Sequence, residues 1–130
     1  MEVIPSSRIE LLAEMEERYE KKDKEYFVQL LDHKDYVIRT RAVCILVDFG
    51  GEEMVTHVSK ILKNDSNELV RHEAAIALGV IGSQDAKATL QNALSDPSEP
   101  VRESAVVALS NLHFMEKLSK NERFAKLTGG

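Results

Sequence analysis

The chain has 130 residues and a formal charge of −5, which is one domain's worth at about 100 to 200 residues per domain. That charge divides as −3 over 1–34, −4 over 35–111 and +2 over 112–130, so no segment is basic enough to track phosphates and nucleic acid is disfavoured as a partner. Cys44 is the single cysteine, which excludes an internal disulfide, and no apolar stretch nears the roughly 18 residues of a membrane helix.

Met1 to Ser7 has no basic region followed by an apolar run, so neither a leader nor a membrane anchor is expected and the protein is expected to be cytoplasmic. After Pro5, Ser6 or Ser7 can cap a first helix, with Glu10 completing a capping box. Ile9, Leu12, Met15 and Tyr19 make its predicted buried face. The run Glu20-Lys21-Lys22-Asp23-Lys24-Glu25 alternates in sign and reads as a solvated turn, and Lys24 to Leu31 reads as a partner helix.

From Val37 the pattern repeats. Val37-Ile38-Arg39-Thr40-Arg41-Ala42-Val43-Cys44-Ile45-Leu46 aligns with Leu69-Val70-Arg71-His72-Glu73-Ala74-Ala75-Ile76-Ala77-Leu78 at a shift of 32, and Val101-Arg102-Glu103-Ser104-Ala105-Val106-Val107-Ala108-Leu109 follows at a shift of 31. Within the central copy, Val70, Ala74, Ala77, Leu78 and Ile81 recur at helical spacing. Ala74, Ala75 and Ala77 leave little bulk, so a neighbouring helix can come close. Cys44 lies on the apolar stripe of its own helix and reads as a buried, inert thiol.

Gly50 and Gly51, and one unit later Gly79 and Gly82, are expected to end the first helix of each pair. Ser83 can cap the next helix. Met54, Val58 and Leu62 then fall on Ala86, Leu90 and Leu94, with Phe27 and Leu31 as an earlier copy. Past Leu112 the spacing of Phe114, Leu118, Phe124 and Leu127 is irregular, and a final helix broken near Ser119 to Asn121 is expected. Leu127-Thr128-Gly129-Gly130 reads as a frayed end.

Fixed-period similarity marks a stacked-repeat protein. The run Val70 to Gly82, with Leu94-Ser95-Asp96-Pro97 leading into Val101-Arg102-Glu103-Ser104, resembles HEAT-like repeats of the short phycobilisome-lyase type, over residues 22–112. The implied fold is all-α, a right-handed α-solenoid of about four antiparallel helix pairs, HEAT-like or armadillo-like. Its expected units are 6–31, 35–62, 67–94 and 98–127, the first and last being atypical caps.

The resemblance also implies a ladder of Asp and Arg residues tying loops of neighbouring units together. Asp65 and Asp96 each stand six residues before Arg71 and Arg102, whereas Arg39 has Asp32 seven residues back. In the deoxyhypusine hydroxylases, which one repeat resembles, His-Glu pairs from successive repeats converge on a two-iron centre that activates oxygen. Here His72-Glu73 occurs once, and the aligned positions are Thr40-Arg41 and Glu103-Ser104.

The chain therefore lacks a full ligand count, and an exposed His72 beside a first-turn Glu73 is the plainer expectation. His33, His57 and His113 share no ligand spacing with His72.

The leading functional expectation is a non-enzymatic module without cofactor that binds another protein on its concave face. The second helices would line that face, through Glu25, Val28 and Gln29, then Thr56, Ser59 and Lys60, then Ala88, Gln91 and Asn92. A homodimer through the terminal helices fits the same architecture. The runner-up is a metal-dependent, hydroxylase-like or lyase-type activity that uses His72 and Glu73 within an oligomer.

Overall fold

The computed structural model describes residues 7–129. Among them are seven α-helices and no strand: α1 (Arg8–Glu20), α2 (Lys24–Leu30), α3 (Tyr36–Phe49), α4 (Val55–Asn64), α5 (Glu68–Ile81), α6 (Lys87–Ala93) and α7 (Glu99–Thr128). Two short 3-10 turns, Glu52–Met54 and Gln84–Ala86, lead into α4 and α6. No helix among the described residues is long and apolar enough to cross a membrane.

Local chemistry sets these boundaries. Asp23, Asp35 and Asn67 occupy N-cap positions and accept from the backbone N–H groups of Tyr26, Val37 and Leu69, using donors that a helix start would otherwise leave unpaired. Ser7 stands at the cap of α1 without a side-chain cap bond, while Ser6 lies outside the described residues. Gly82 closes α5 in the left-handed region, φ 73°, with its N–H on the Leu78 carbonyl, a conformation that glycine adopts without strain.

The helices stack in two layers. α3, α5 and α7 lie side by side, α4 and α6 lie beside each other, and α2, α4 and α6 pack on α3, α5 and α7 respectively. One apolar cluster runs through the stack from Leu11 to Leu112, with Phe27, Leu30, Ile38, Leu46, Val58, Leu78 and Leu90 fully buried.

Several expectations are corrected here. In α1 the buried pair is Leu11 and Met15, while Ile9 is 81% exposed, because the stripe begins at Leu11 and steps by four. Tyr19 sits at the rim, its ring 5.3 Å from Phe49 and its hydroxyl donating to Asp48. Ala93 is buried in α6 where Leu94 was expected, because the helix ends at Ala93 and Leu94 turns outward.

The fourth pair is one unbroken helix of 30 residues, so the eight expected helices become seven. Where Gly82 stops α5, the aligned residue in α7 is His113, and no glycine or proline intervenes between Val101 and Thr128. A Glu116–Lys120 ion pair one turn apart supports the extension.

Gly79 lies inside α5 and is no terminator. A Cβ there would sit 2.8 Å from Ala108 Cα, so the glycine exists to let α5 and α7 touch backbone to backbone. Gly79→Ala is expected to cost about 1–2 kcal/mol, because overpacking of about 1–3 kcal/mol outweighs a helix-propensity gain of up to about 1. Urea denaturation checks this, and an unchanged midpoint would show that the two helices part freely.

Candidate functional site

His72 and Glu73 lie in the second turn of α5, on the edge facing α7 and α3. The imidazole is half-buried. Its Nδ1 lies 2.6 Å from Ser104 Oγ and 3.2 Å from the Pro100 carbonyl oxygen, both on α7. The Pro100 carbonyl can only accept, whereas the Ser104 hydroxyl can donate to or accept from Nδ1, so the two contacts fix the ring's orientation and leave Nε2 as the nitrogen not engaged by α7. His72 is thus fixed by α7, correcting the expectation of a freely exposed ring.

Glu73 reaches the other way. Its Oε2 accepts from Cys44 Sγ at 3.6 Å across the α3–α5 contact. Cys44 is exposed, not buried as expected; Val43 and Leu46 take the core positions of α3, in a helix whose apolar residues run nearly all round it. Partial desolvation, then the charge and hydrogen bond of Glu73, push the Cys44 thiol up, with Arg41 opposing.

A raised thiol is a poor nucleophile at neutral pH. Glu73→Gln should lower its pKa, so the thiol should react with a disulfide reagent about two- to tenfold faster at pH 8. An unchanged rate would show that the carboxylate does not act on it.

The groups aligned with His72-Glu73 offer no second pair. Thr40 donates to the Tyr36 carbonyl, Arg41 brings positive charge, Glu103 is exposed and Ser104 serves His72. Among the described residues no three His, Cys, Asp or Glu side chains converge as a metal site would require. Imidazole plus carboxylate suits iron by donor type, but one chain supplies two donors, so these residues alone do not make a metal centre.

The Asp and Arg residues form a second, regular constellation. Arg39 grips Asp65 at 2.9 and 3.0 Å, and Arg71 grips Asp96 at 3.0 and 3.1 Å, both through Nε and Nη2. The third nitrogen of each Arg turns back to a loop carbonyl: Arg39 to His33, Arg71 to Asp65 and Arg102 to Asp96. Each carboxylate also accepts from a backbone N–H two residues on, at Asn67 and Ser98.

The first rung differs. Arg8 pairs with Asp35 at 2.8 and 3.1 Å, and His33 Nδ1 accepts from the Asp35 N–H. Arg8 and Asp35 were missed in the sequence. Counting six residues back from Arg39 lands on His33 and not on Asp32, which was the available signal.

On the second helices Glu25, Gln29, Thr56, Lys60, Ala88, Gln91 and Asn92 are exposed, with Val28 and Ser59 half-buried. They share a layer but no one cleft gathers them: Lys60 lines one and Gln91 another. A cleft of about 510 Å³ lies at the loops between Leu31–Lys34 and Lys60–Ser66, where Arg39 and His33 are already engaged.

Residues 5–78 and again 55–127 match the family described as HEAT repeats. This chain belongs to the HEAT-repeat family. Among curated proteins, the HEAT-repeat chain is 36% identical over 88 residues to deoxyhypusine hydroxylase-B of Oryza sativa subsp. japonica, covering 67% of this chain and 29% of the relative. It is 44% identical over 61 residues to the deoxyhypusine hydroxylase of Eremothecium gossypii, covering 46% of this chain and 19% of the relative. With that of Candida albicans the figures are 46% over 56 residues, 42% and 18%.

The chain therefore spans under a third of the length of these relatives. They bear the name of an enzyme, which overturns the expectation of a non-enzymatic partner-binding module. That expectation rested on counting ligands within one chain, a count that says nothing of what the repeat serves in a larger site.

Proposed function

We propose that this HEAT-repeat chain belongs to an enzyme of the deoxyhypusine hydroxylase kind, and that His72 and Glu73 are its contribution to a metal site completed within an oligomer. The observation that carries this reading is the His72 ring, held at Nδ1 by Pro100 and Ser104 on α7, so that Nε2 is the ring nitrogen these contacts leave unengaged. A ligating imidazole commonly has its other nitrogen fixed in this way. The enzyme names of the relatives support it.

A bound iron would supply oxygen activation for hydroxylating a deoxyhypusine side chain. The chain's own part is positional: Ser104 orients the imidazole, and Cys44 holds one oxygen of Glu73. Within the HEAT repeats we read the short phycobilisome-lyase type, from the period of 31 to 32 residues. We place the enzyme in the cytosol, where an exposed free thiol such as Cys44 stays reduced.

Elemental analysis of protein purified without chelator tests the site. At least about one iron or zinc per two chains is expected, reduced strongly in His72→Ala and Glu73→Ala variants that still fold. A lower metal content in the unmodified chain, with melting unchanged by chelator, would sink the proposal.

A further inference from the structure

The outer face of α7 carries a row that the rest of the stack leaves uncovered. Glu103, Val106, Ser110, Phe114 and Lys117 follow one another at steps of three and four residues, so they share one face of the helix. All five are exposed, Val106 at 54% and Phe114 at 60%.

The repeat shows what this face is built for. Val106 aligns with Ala75 and Val43, and both of those are 0% exposed, each on a first helix covered by the first helix of the following unit. In α7 the same position meets water. Arg102 tells the same story, since no carboxylate among the described residues meets its fork in the way that Asp65 meets Arg39 and Asp96 meets Arg71.

We infer that α7 pairs with the α7 of a second copy of this chain, antiparallel, with Ser110 at the two-fold axis. Charge argues for that occupant and that direction. Up to Leu112, α7 carries Glu99, Arg102 and Glu103; beyond it, Lys117, Lys120, Arg123 and Lys126 outnumber Glu116 and Glu122.

An antiparallel pair about Ser110 sets Glu103 against the partner's Lys117 and Val106 against the partner's Phe114, and symmetry repeats both contacts. A parallel pair would set like charge on like. Self-complementarity of this kind is what a two-fold interface demands. The small side chain of Ser110 permits close approach at the axis, as Gly79 does against Ala108.

This inference goes beyond the enzymatic reading, which needs an oligomer but not this face: a dimer that responds to the α7 variants yet holds no metal would sink only that reading, whereas metal held by an oligomer indifferent to Val106→Glu would sink only this inference. The experiment is sedimentation equilibrium of the full chain between about 1 and 100 µM, a range in which moderate dimers dissociate. A monomer–dimer equilibrium is expected. Val106→Glu should weaken it by about tenfold or more, since it sets a charge against the partner's apolar ring.

Lys117→Glu should also weaken the dimer, and Glu103→Lys with Lys117→Glu should restore it. Circular dichroism at a concentration where the unmodified chain is monomeric should show all variants melting as it does, since association itself raises the melting temperature. A monomer throughout the range, a trimer or open-ended assembly, a dimer indifferent to Val106→Glu, or a double swap without rescue would each overturn the inference.

Discussion

Asp96→Ala is expected to lower the free energy of unfolding by about 3 kcal/mol, the lower end of what removing one partner from a buried ion pair costs. The Asp96 and Arg71 side chains are 10% and 14% exposed, so water can do little for the guanidinium left behind. The Ser98 N–H loses its acceptor as well. For a domain of this size the change corresponds to a fall of about 10 °C in melting temperature, which scanning calorimetry reads directly.

Removing Arg71 along with Asp96, as Arg71→Met with Asp96→Ala, should recover most of the loss, because the stranded charge disappears. A single variant within about 0.5 kcal/mol of the unmodified chain would mean that the rung is ornamental.

The same rung sets a response to acid. Burial pushes the Asp96 carboxyl up, but the Arg71 hydrogen bond, the Ser98 N–H and the charges of Arg71 and Arg102 outweigh it and hold it below its ordinary value. Its contribution is therefore complete above the unfolded carboxyl value of about 3.9 and is lost as pH falls through the lower folded value. Stability below about pH 4 should fall less steeply in Asp96→Ala than in the unmodified chain. Parallel curves from urea titrations at stepped pH would contradict this.

Phe27→Ala is expected to have the largest effect of any single truncation, about 3–5 kcal/mol. Phe27 is fully buried, edge-on to Tyr26 at 5.2 Å and tilted against Phe49 at 5.6 Å, and Phe49 in turn carries Tyr19 of α1. Losing that ring opens a cavity where α2 meets α3 and loosens the anchor of α1. Since domains of this kind hold only about 5–15 kcal/mol in total, the variant should be partly unfolded at 37 °C. Phe124→Ala, at 68% exposed, should stay within about 0.5 kcal/mol; comparable losses from both would mean that burial does not rank these side chains.

The stack was legible because its evidence is redundant: Arg39, Arg71 and Arg102 announce the period, and Val70, Ala74 and Leu78 announce the helix. Where a feature occurs once, the reading failed. The stop at Gly82 does not recur, since His113 takes its place and α7 runs on. His33 breaks the run of loop aspartates and sends Arg8 to Asp35. Cys44 is flanked by apolar residues on both sides, so periodicity could not say which of Val43, Cys44 and Ile45 turns inward. The fixing of His72 by Ser104 spans 32 residues, a contact that appears only once α5 and α7 are side by side.

The absence of a break in α7 has a mechanical outcome. At about 1.5 Å per residue the portion beyond Leu112 runs on for about 24 Å, its first turns lining a cleft with Gly82 and Ser83 through Met115, Glu116 and Ser119 and its end carrying the exposed Phe124 and Leu127. Because it is rooted in the crossing at Gly79 and Ala108, about 30 Å from its end, a tilt of about 5° at that root would swing its tip by about 3 Å. Small adjustments in the stack are thereby magnified at the far end, with Phe124 and Leu127 riding on the moving tip.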